Sequence, residues 1–282
     1  MNILIRVLLI QILALFILIG CAEGESSNND TEDEIAPITT GNWYRPPILA
    51  TWQWQLSGEV NNSYSVNMYD IDLFDSSKVL IQQIQSANMK VICYFSAGSY
   101  EDWRTDASDF TSADLGNPLD GWPGESWLDI RSANVSSIMK KRLDLAVQKG
   151  CDGVEPDNMD GYTQNSGFNL TPENQLKYNR MIANEAHQRN LSVGLKNDLD
   201  QISELVDYYD FALNEQCFKY SECELLIPFI NNGKPVFNAE YDQEYIESEN
   251  AREKICTDSL NMAFSTLILP ISLDDEFRLS CL

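Results

Sequence analysis

The chain has 282 residues, 44% of them hydrophobic and 22% charged, which is enough for one large domain or two small ones. It carries 19 basic against 43 acidic residues, a net charge of −24, and this excludes nucleic acid as a ligand because phosphate recognition needs the opposite sign. The same field disfavours anionic polymers and favours a cationic substrate, although a merely solvated acidic surface gives the same composition.

Residues 1–20 hold one early charge, Arg6, and then an apolar run over 7–19 broken only by Gln11, which predicts a signal peptide. The run ends Leu18-Ile19-Gly20-Cys21, which resembles a bacterial lipobox and predicts Cys21 as a lipidated N-terminus. A plain signal peptide or a membrane anchor are the other possibilities. No other segment approaches the ~20 apolar residues of a spanning helix. The expectation is an exported monomer, held to a membrane by acyl chains at the cell surface or in the periplasm. Residues 21–40 are rich in Glu, Asp, Ser and Asn without apolar period and read as a disordered acidic tether, leaving 41–282 as the globular part.

From residue 51 short apolar strands alternate with helical patterns. The strands are predicted at 51–56, 67–73, 91–96, 153–158, 192–198, 211–217, 235–241 and 266–269. The helices are predicted at 76–87, 135–149 with Asn134 as cap, 172–189 behind a Thr171-Pro172 start, 201–206, 222–231 and 244–256. Such alternation implies parallel strands with crossover helices. Eight strands fit an α/β fold of the single (β/α)8 TIM-like barrel type. A doubly wound sheet is the runner-up, but no Gly-rich phosphate loop follows the first strand. The longest connection, 97–132, holds Tyr100, Trp103, Trp122 and Trp127. It reads equally as a lid whose aromatic faces stack on sugar rings and as a loop packing a small core of its own. Trp52 and Trp54 read as core, with one of them able to line a pocket floor.

Without Cys21 six cysteines remain, an even number that permits disulfides in an exported chain. Cys217 and Cys223, six apart, are the first pair expected; Cys256 with Cys281 is weaker, and Cys93, in an apolar strand, reads as a buried free thiol. The single histidine, His187, lies in a polar helical stretch and reads as structural. With no nucleophile elbow, Ser-His-Asp and Cys-His mechanisms drop out, as do histidine-rich zinc sites.

The C-terminal strand ends collect polar side chains. Tyr69, Asp70 and Asp72 end the second strand, and Tyr94 and Ser96 the third. Glu155, Asp157 and Asn158 end the fourth, with Asp160 beyond. Lys196, Asn197 and Asp198 end the fifth, Asn214, Glu215 and Gln216 the sixth, and Glu240 and Tyr241 the seventh. Active sites of such barrels lie at that face. Carboxylates held stiffly at two different strand ends are what acid/base work on a glycosidic bond requires. A mouth this acidic is also able to bind calcium, but there is no EF-hand-like loop; no metal and no cofactor are expected.

Seven segments in this order resemble glycoside hydrolase family 114, the endo-α-1,4-polygalactosaminidase-type barrels: Trp52-Gln53-Trp54-Gln55-Leu56, the run from Tyr69 to Asp75, Cys93-Tyr94-Phe95-Ser96-Ala97-Gly98-Ser99, Trp127-Leu128-Asp129-Ile130-Arg131, the run from Gly150 to Asn158, Gly194-Leu195-Lys196-Asn197-Asp198, and Asn214-Glu215-Gln216-Cys217. The resemblance implies hydrolysis of α-1,4-linked galactosamine polymers. It also implies a catalytic pair, an Asp after the fourth strand and a Glu after the sixth, which falls on Asp157 and Glu215.

A galactosamine polymer is cationic and suits the acidic chain. Glu215 is the expected general acid and Asp157 the nucleophile or base. Lys196 is expected to keep Asp157 ionised or bind hydroxyls; its rival role is a Schiff-base lysine. Asp70, Tyr94, Glu155, Asp198, Glu240 and Trp127 are expected around the substrate, or, for the acids, as supports of the pair. Two alternatives stand beside this reading: a non-catalytic glycan-binding surface lipoprotein, and a related glycosidase acting on another hexosamine or hexose.

Overall fold

The computed structural model describes residues 35–282; the leader and Cys21 lie outside them. Twelve strands follow in chain order: β1 (Trp52–Gln55), β2 (Met68–Asp72), β3 (Lys90–Ser96), β4 (Ser99–Glu101), β5 (Leu115–Pro118), β6 (Glu125–Leu128), β7 (Gly153–Asp157), β8 (Ser192–Lys196), β9 (Phe211–Glu215), β10 (Val236–Glu240), β11 (Phe264–Ile268) and β12 (Leu279–Ser280). Eight of them run parallel in one sheet, ordered β1-β2-β3-β7-β8-β9-β10-β11, with β12 antiparallel on the β11 edge. The β1 and β11 edges are joined by side chains and by the C-terminal segment. The Trp52 indole donates to Ser265 O at 2.9 Å, and Arg278 donates to Trp52 O at 2.7 Å.

The crossovers carry α1 (Lys78–Ser86), α2 (Ala133–Lys149), α3 (Pro172–Gln188), α4 (Ile202–Leu205), α5 (Cys217–Tyr220), α6 (Ile227–Asn231), α7 (Gln243–Glu247) and α8 (Glu249–Asn261). The cap of α2 is Ser132, which accepts from the Asn134 and Val135 amides, rather than Asn134 itself. In α3 Thr171 and Asn174 form a capping box with Pro172 in the first turn. The helix expected at 244–256 is two, α7 and α8, because Ser248 leaves helical geometry and caps the second.

Strand side chains alternate between two hydrophobic clusters. Val91, Cys93 and Phe95 of β3 join the cluster that takes in Ile138, Met139 and Leu143 of α2. Ile92 joins the other, with Trp52, Trp54, Phe211 and Phe237. This period of two decides which strand-end residues face the inner side of the sheet and which face the helices.

Three disulfides are present among the described residues. Cys217–Cys223 and Cys256–Cys281 are joined. Cys93 is not a free thiol: it bridges to Cys151, 58 residues on, with Cα atoms 6.0 Å apart. The strand pairing of β3 with β7 makes them neighbours across a long excursion that sequence spacing hides. Residues 35–40, assigned by composition to the tether, are docked. The Ile38 amide donates to Asn184 Oδ1, Asn184 donates to Ala36 O, and the Tyr208 hydroxyl donates to Ile35 O. His187 is structural, stacked on Trp43 and 2.9 Å from Asp210 Oδ2.

Candidate active site

A cavity of about 1060 Å³ opens at the C-terminal ends of the parallel strands. At its floor Lys196, buried at the end of β8, holds three carboxylates. Its Nζ lies 3.1 Å from Glu155 Oε1, 3.1 Å from Asp157 Oδ1 and 3.2 Å from Glu215 Oε2. Burial pulls the Lys196 pKa down, but Asp157, Glu155 and Glu215 together hold it well above the usual lysine range. A lysine kept this firmly as ammonium is no Schiff-base nucleophile.

Asp157 and Glu215 sit at strand ends, only partly exposed, and both line the cavity. Asp157 has three donors: Lys196, the Tyr94 hydroxyl at 3.1 Å and the Asn158 amide at 2.7 Å. Glu215 has the Lys196 ammonium and the Tyr241 hydroxyl. The Glu215 amide donates to Asn197 Oδ1 at 3.1 Å, which fixes the end of β9 against the turn after β8.

The remaining expected residues divide. Tyr94, Lys196 and Trp127 line the cavity. Asp70 and Glu155 do not; they point inward one layer below Asp72 and Asp157 and are fully buried. Direct contact with sugar is closed to them. Burial raises Glu155 to about 7 against the opposing Lys196 charge, while burial and then the Glu155 charge push Asp70 well above the carboxylate range. Glu240 is buried on the helix side of β10, accepting from the Phe218 amide at 2.9 Å, so it too gives way as a substrate contact. Asp198 lies outside the main cavity, in a smaller one beside it.

Tyr241 was not among the expected site residues, yet the signal existed. One residue past Glu240, it falls by alternation on the cavity side, where it reaches Glu215. Trp54 forms part of the floor: its indole donates to Glu155 Oε2 at 3.1 Å, and Lys196 Nζ lies 4.8 Å from its ring centre. The 97–132 connection builds a three-stranded antiparallel sheet, β4-β6-β5, and also lines the cavity with Trp103, Trp122 and Trp127. Glu125, on β6, was not anticipated. It accepts from the Ser99 hydroxyl at 2.6 Å, and burial lifts it to about 7.

Over residues 33–282 the sequence matches the family described as Glycoside-hydrolase family GH114. The chain belongs to this family. It is a glycoside hydrolase. It is also similar to the crystal structure of Aspergillus fumigatus Ega3 in complex with galactosamine, at 42% identity and a TM-score of 0.81, covering 86% of this chain and 99% of that one. The glycoside hydrolase domain of PelA from Pseudomonas aeruginosa shares the fold at 11% identity and a TM-score of 0.64, covering 82% of this chain and 98% of that one. No curated relative matches the chain.

Proposed function

We propose that this glycoside hydrolase is an endo-acting α-1,4-polygalactosaminidase, built on a closed (β/α)8 barrel, with Glu215 as general acid and Asp157 as nucleophile. The observation that carries the mechanism is the single ammonium, Lys196, clamped between the two carboxylates at the cavity floor. Family membership and the galactosamine in the Ega3 crystal support the substrate. So does the charge of −24, which draws a polyamine toward an acidic mouth.

The donors divide the roles. Three hydrogen-bond donors hold the Asp157 carboxylate in place at the cavity floor. Glu215 has two, and one of them, the Tyr241 hydroxyl, can accept as well as donate, so that contact survives protonation of Glu215. In the first step Glu215 gives its proton to the glycosidic oxygen, that bond to the anomeric carbon breaks, and Asp157 forms an ester to the same carbon. In the second, Glu215 takes a proton from water, which attacks the anomeric carbon and releases Asp157. The nearest Asp157 and Glu215 oxygens lie 3.1 Å and 3.2 Å from one nitrogen and are separated by no more than those two lengths laid end to end. That closeness favours the short spacing of a retaining pair over the ~6.5–9.5 Å between carboxyl groups that admits a water for inversion. The product should keep the α-configuration.

Residues 1–20 are read as a lipoprotein signal peptide and Cys21 as the lipidated end of a tether, which makes the enzyme an exported, membrane-held monomer. The three disulfides fit an oxidising compartment. Mass spectrometry of the mature N-terminus tests the lipid; an intact or unacylated end overturns it. The activity is tested by reducing-end release from α-1,4-galactosamine, partly acetylated galactosamine and glucosamine polymers, with the new anomer followed by proton NMR. Cleavage of the first with α-product is expected. Preference for glucosamine polymer would move the substrate, and β-product would replace the nucleophile by a base.

A further inference from the structure

Glu125 lies on β6, outside the parallel sheet, and is buried at the edge of the main cavity. Its Oε2 accepts from the Ser99 hydroxyl at 2.6 Å. The Ser99 and Ser96 hydroxyl oxygens lie 2.7 Å apart. The Ser96 oxygen also accepts from the Ser99 amide at 3.0 Å and from Asn158 Nδ2 at 2.9 Å. Asn158 in turn donates its backbone amide to Asp157 Oδ1 at 2.7 Å.

Proton counting gives this run a direction. A hydroxyl has one proton and two lone pairs. Ser99 gives its proton to Glu125. Both lone pairs of Ser96 are taken, so its own proton goes to Ser99. Every bond therefore points the same way, from Asn158 through Ser96 and Ser99, and Glu125 is the acceptor on which the run ends. Ser96 and Ser99 are fully buried, so bulk water cannot take the place of Glu125. A protonated carboxyl still keeps one oxygen free to accept, so the run does not depend on charge.

Asn158 needs such support. Its φ of 59° lies in the left-handed region, which few residues other than glycine adopt. In that conformation its amide meets the carboxylate of the residue before it. The side chain is held by Ser96, and the backbone is pressed against Gly98, where a Cβ would lie only 1.7 Å from Asn158 O.

We propose that Glu125 is a positioning residue that, through Ser99, Ser96 and Asn158, fixes the Asp157 carboxylate in its orientation toward the substrate. The β4-β6-β5 sheet thereby sets the aim of a strand-end carboxylate to which it does not belong. The effect on rate rests on the assignment of Asp157 as nucleophile; the effect on orientation rests on the geometry alone.

The test uses Glu125→Ala, Glu125→Gln and Ser99→Ala, the last as a smaller change that breaks the same run. Polymer cleavage is measured beside hydrogen–deuterium exchange of the Asn158 amide by NMR. Glu125→Ala is expected to lower kcat about 10- to 100-fold, as a misaimed reacting group does, with KM within about threefold. Its Asn158 amide should exchange about tenfold faster while other amides of β7 keep their rates. Ser99→Ala should give the same two changes, and Glu125→Ala/Ser99→Ala should be no worse than the poorer single variant, because one run is broken once. Glu125→Gln keeps an accepting oxygen and should restore both readouts to near the unsubstituted values. Unchanged Asn158 exchange in Glu125→Ala, equal acceleration along the whole of β7, or a glutamine variant as damaged as the alanine one overturns the proposal. If the unsubstituted enzyme releases no reducing ends while the exchange pattern holds, the reaction assigned to Asp157 fails and the positioning role stands.

Discussion

At the scale of single residues the site turns on where protons reside. Asp157→Asn and Glu215→Gln each preserve shape at a partly exposed strand end and each remove one partner of the proposed two-carboxylate reaction. Each is expected to lower kcat by at least ~10²–10⁴-fold with circular dichroism and melting temperature nearly unchanged, and sugar binding retained. If either variant turns over normally, that carboxylate is not catalytic. Asp70 makes a different case. It is fully buried, both its oxygens lack a donor, and it faces Glu155, another acceptor. Two carboxylates cannot bond without a proton between them, and an ionised Asp70 without donors would be costly, so Asp70 is the neutral, donating member. Asp70→Asn keeps an uncharged donor in place and is expected to stay within about 1 kcal/mol in stability and about threefold in activity. Asp70→Leu removes the donor under Glu155 and is expected to cost about 1–3 kcal/mol. Equal damage from both, in urea unfolding and turnover, would refute the shared proton.

At the scale of elements, the strands place the site and the disulfides hold the strands. Cys93–Cys151 closes a loop of 58 residues between β3 and β7, and Cys217–Cys223 closes one of six just after Glu215. Loop-closure entropy gives about 4 kcal/mol for the first and about 2 kcal/mol for the second. Replacing each pair with alanine should reproduce that order in chemical unfolding. The order of the activity losses should be reversed, because the short loop sits beside Glu215 while the long one ties β3 to the turn before β7 within one sheet. If Cys217→Ala/Cys223→Ala keeps full activity, the short bridge has no part in holding Glu215. Alternation along β10 sets the other element-scale rule. Glu240 and Tyr241 are adjacent in sequence, yet only Tyr241 reaches the cavity. Counting acids at strand ends overstates a site unless each is assigned to a face and a depth.

At the scale of the whole molecule, carboxyl groups pull the pH dependence of stability in two directions. Burial raises Glu125 and Glu155 to about 7 and Asp198 to about 8. Their folded-state pKa values lie above the unfolded ones, so the stability they contribute is present below about pH 4 and is lost as pH rises through 7 to 8. Asp114 has the opposite sign. Burial, the largest single influence, raises it, but the Ser132 hydroxyl, the Thr111 amide and hydroxyl and the Asn134 side chain together hold it down to about 2, so its contribution is present above about pH 4 and lost as pH falls toward 2. Repulsion within a chain of charge −24 adds to the loss on the alkaline side. The melting temperature is expected to be highest near pH 4–6 and to fall by about 5 °C by pH 8, a shift that differential scanning calorimetry resolves; a flat profile would mean that these buried acids titrate normally. The sequence by itself determined the α/β class, eight strands in order, the helix start marked by Thr171-Pro172, and the carboxylates Asp157 and Glu215 at strand ends, because local periodicity, caps and strand-end chemistry are all written within a few residues. Only the tertiary structure decided the Cys93–Cys151 bridge, the docking of residues 35–40, the division of α7 from α8, the burial of Asp70, Glu155 and Glu240, and the clamp of Lys196 on three carboxylates. These depend on which strands become neighbours and how far each side chain lies below the mouth, and such distances arise only when segments remote in the chain pack together.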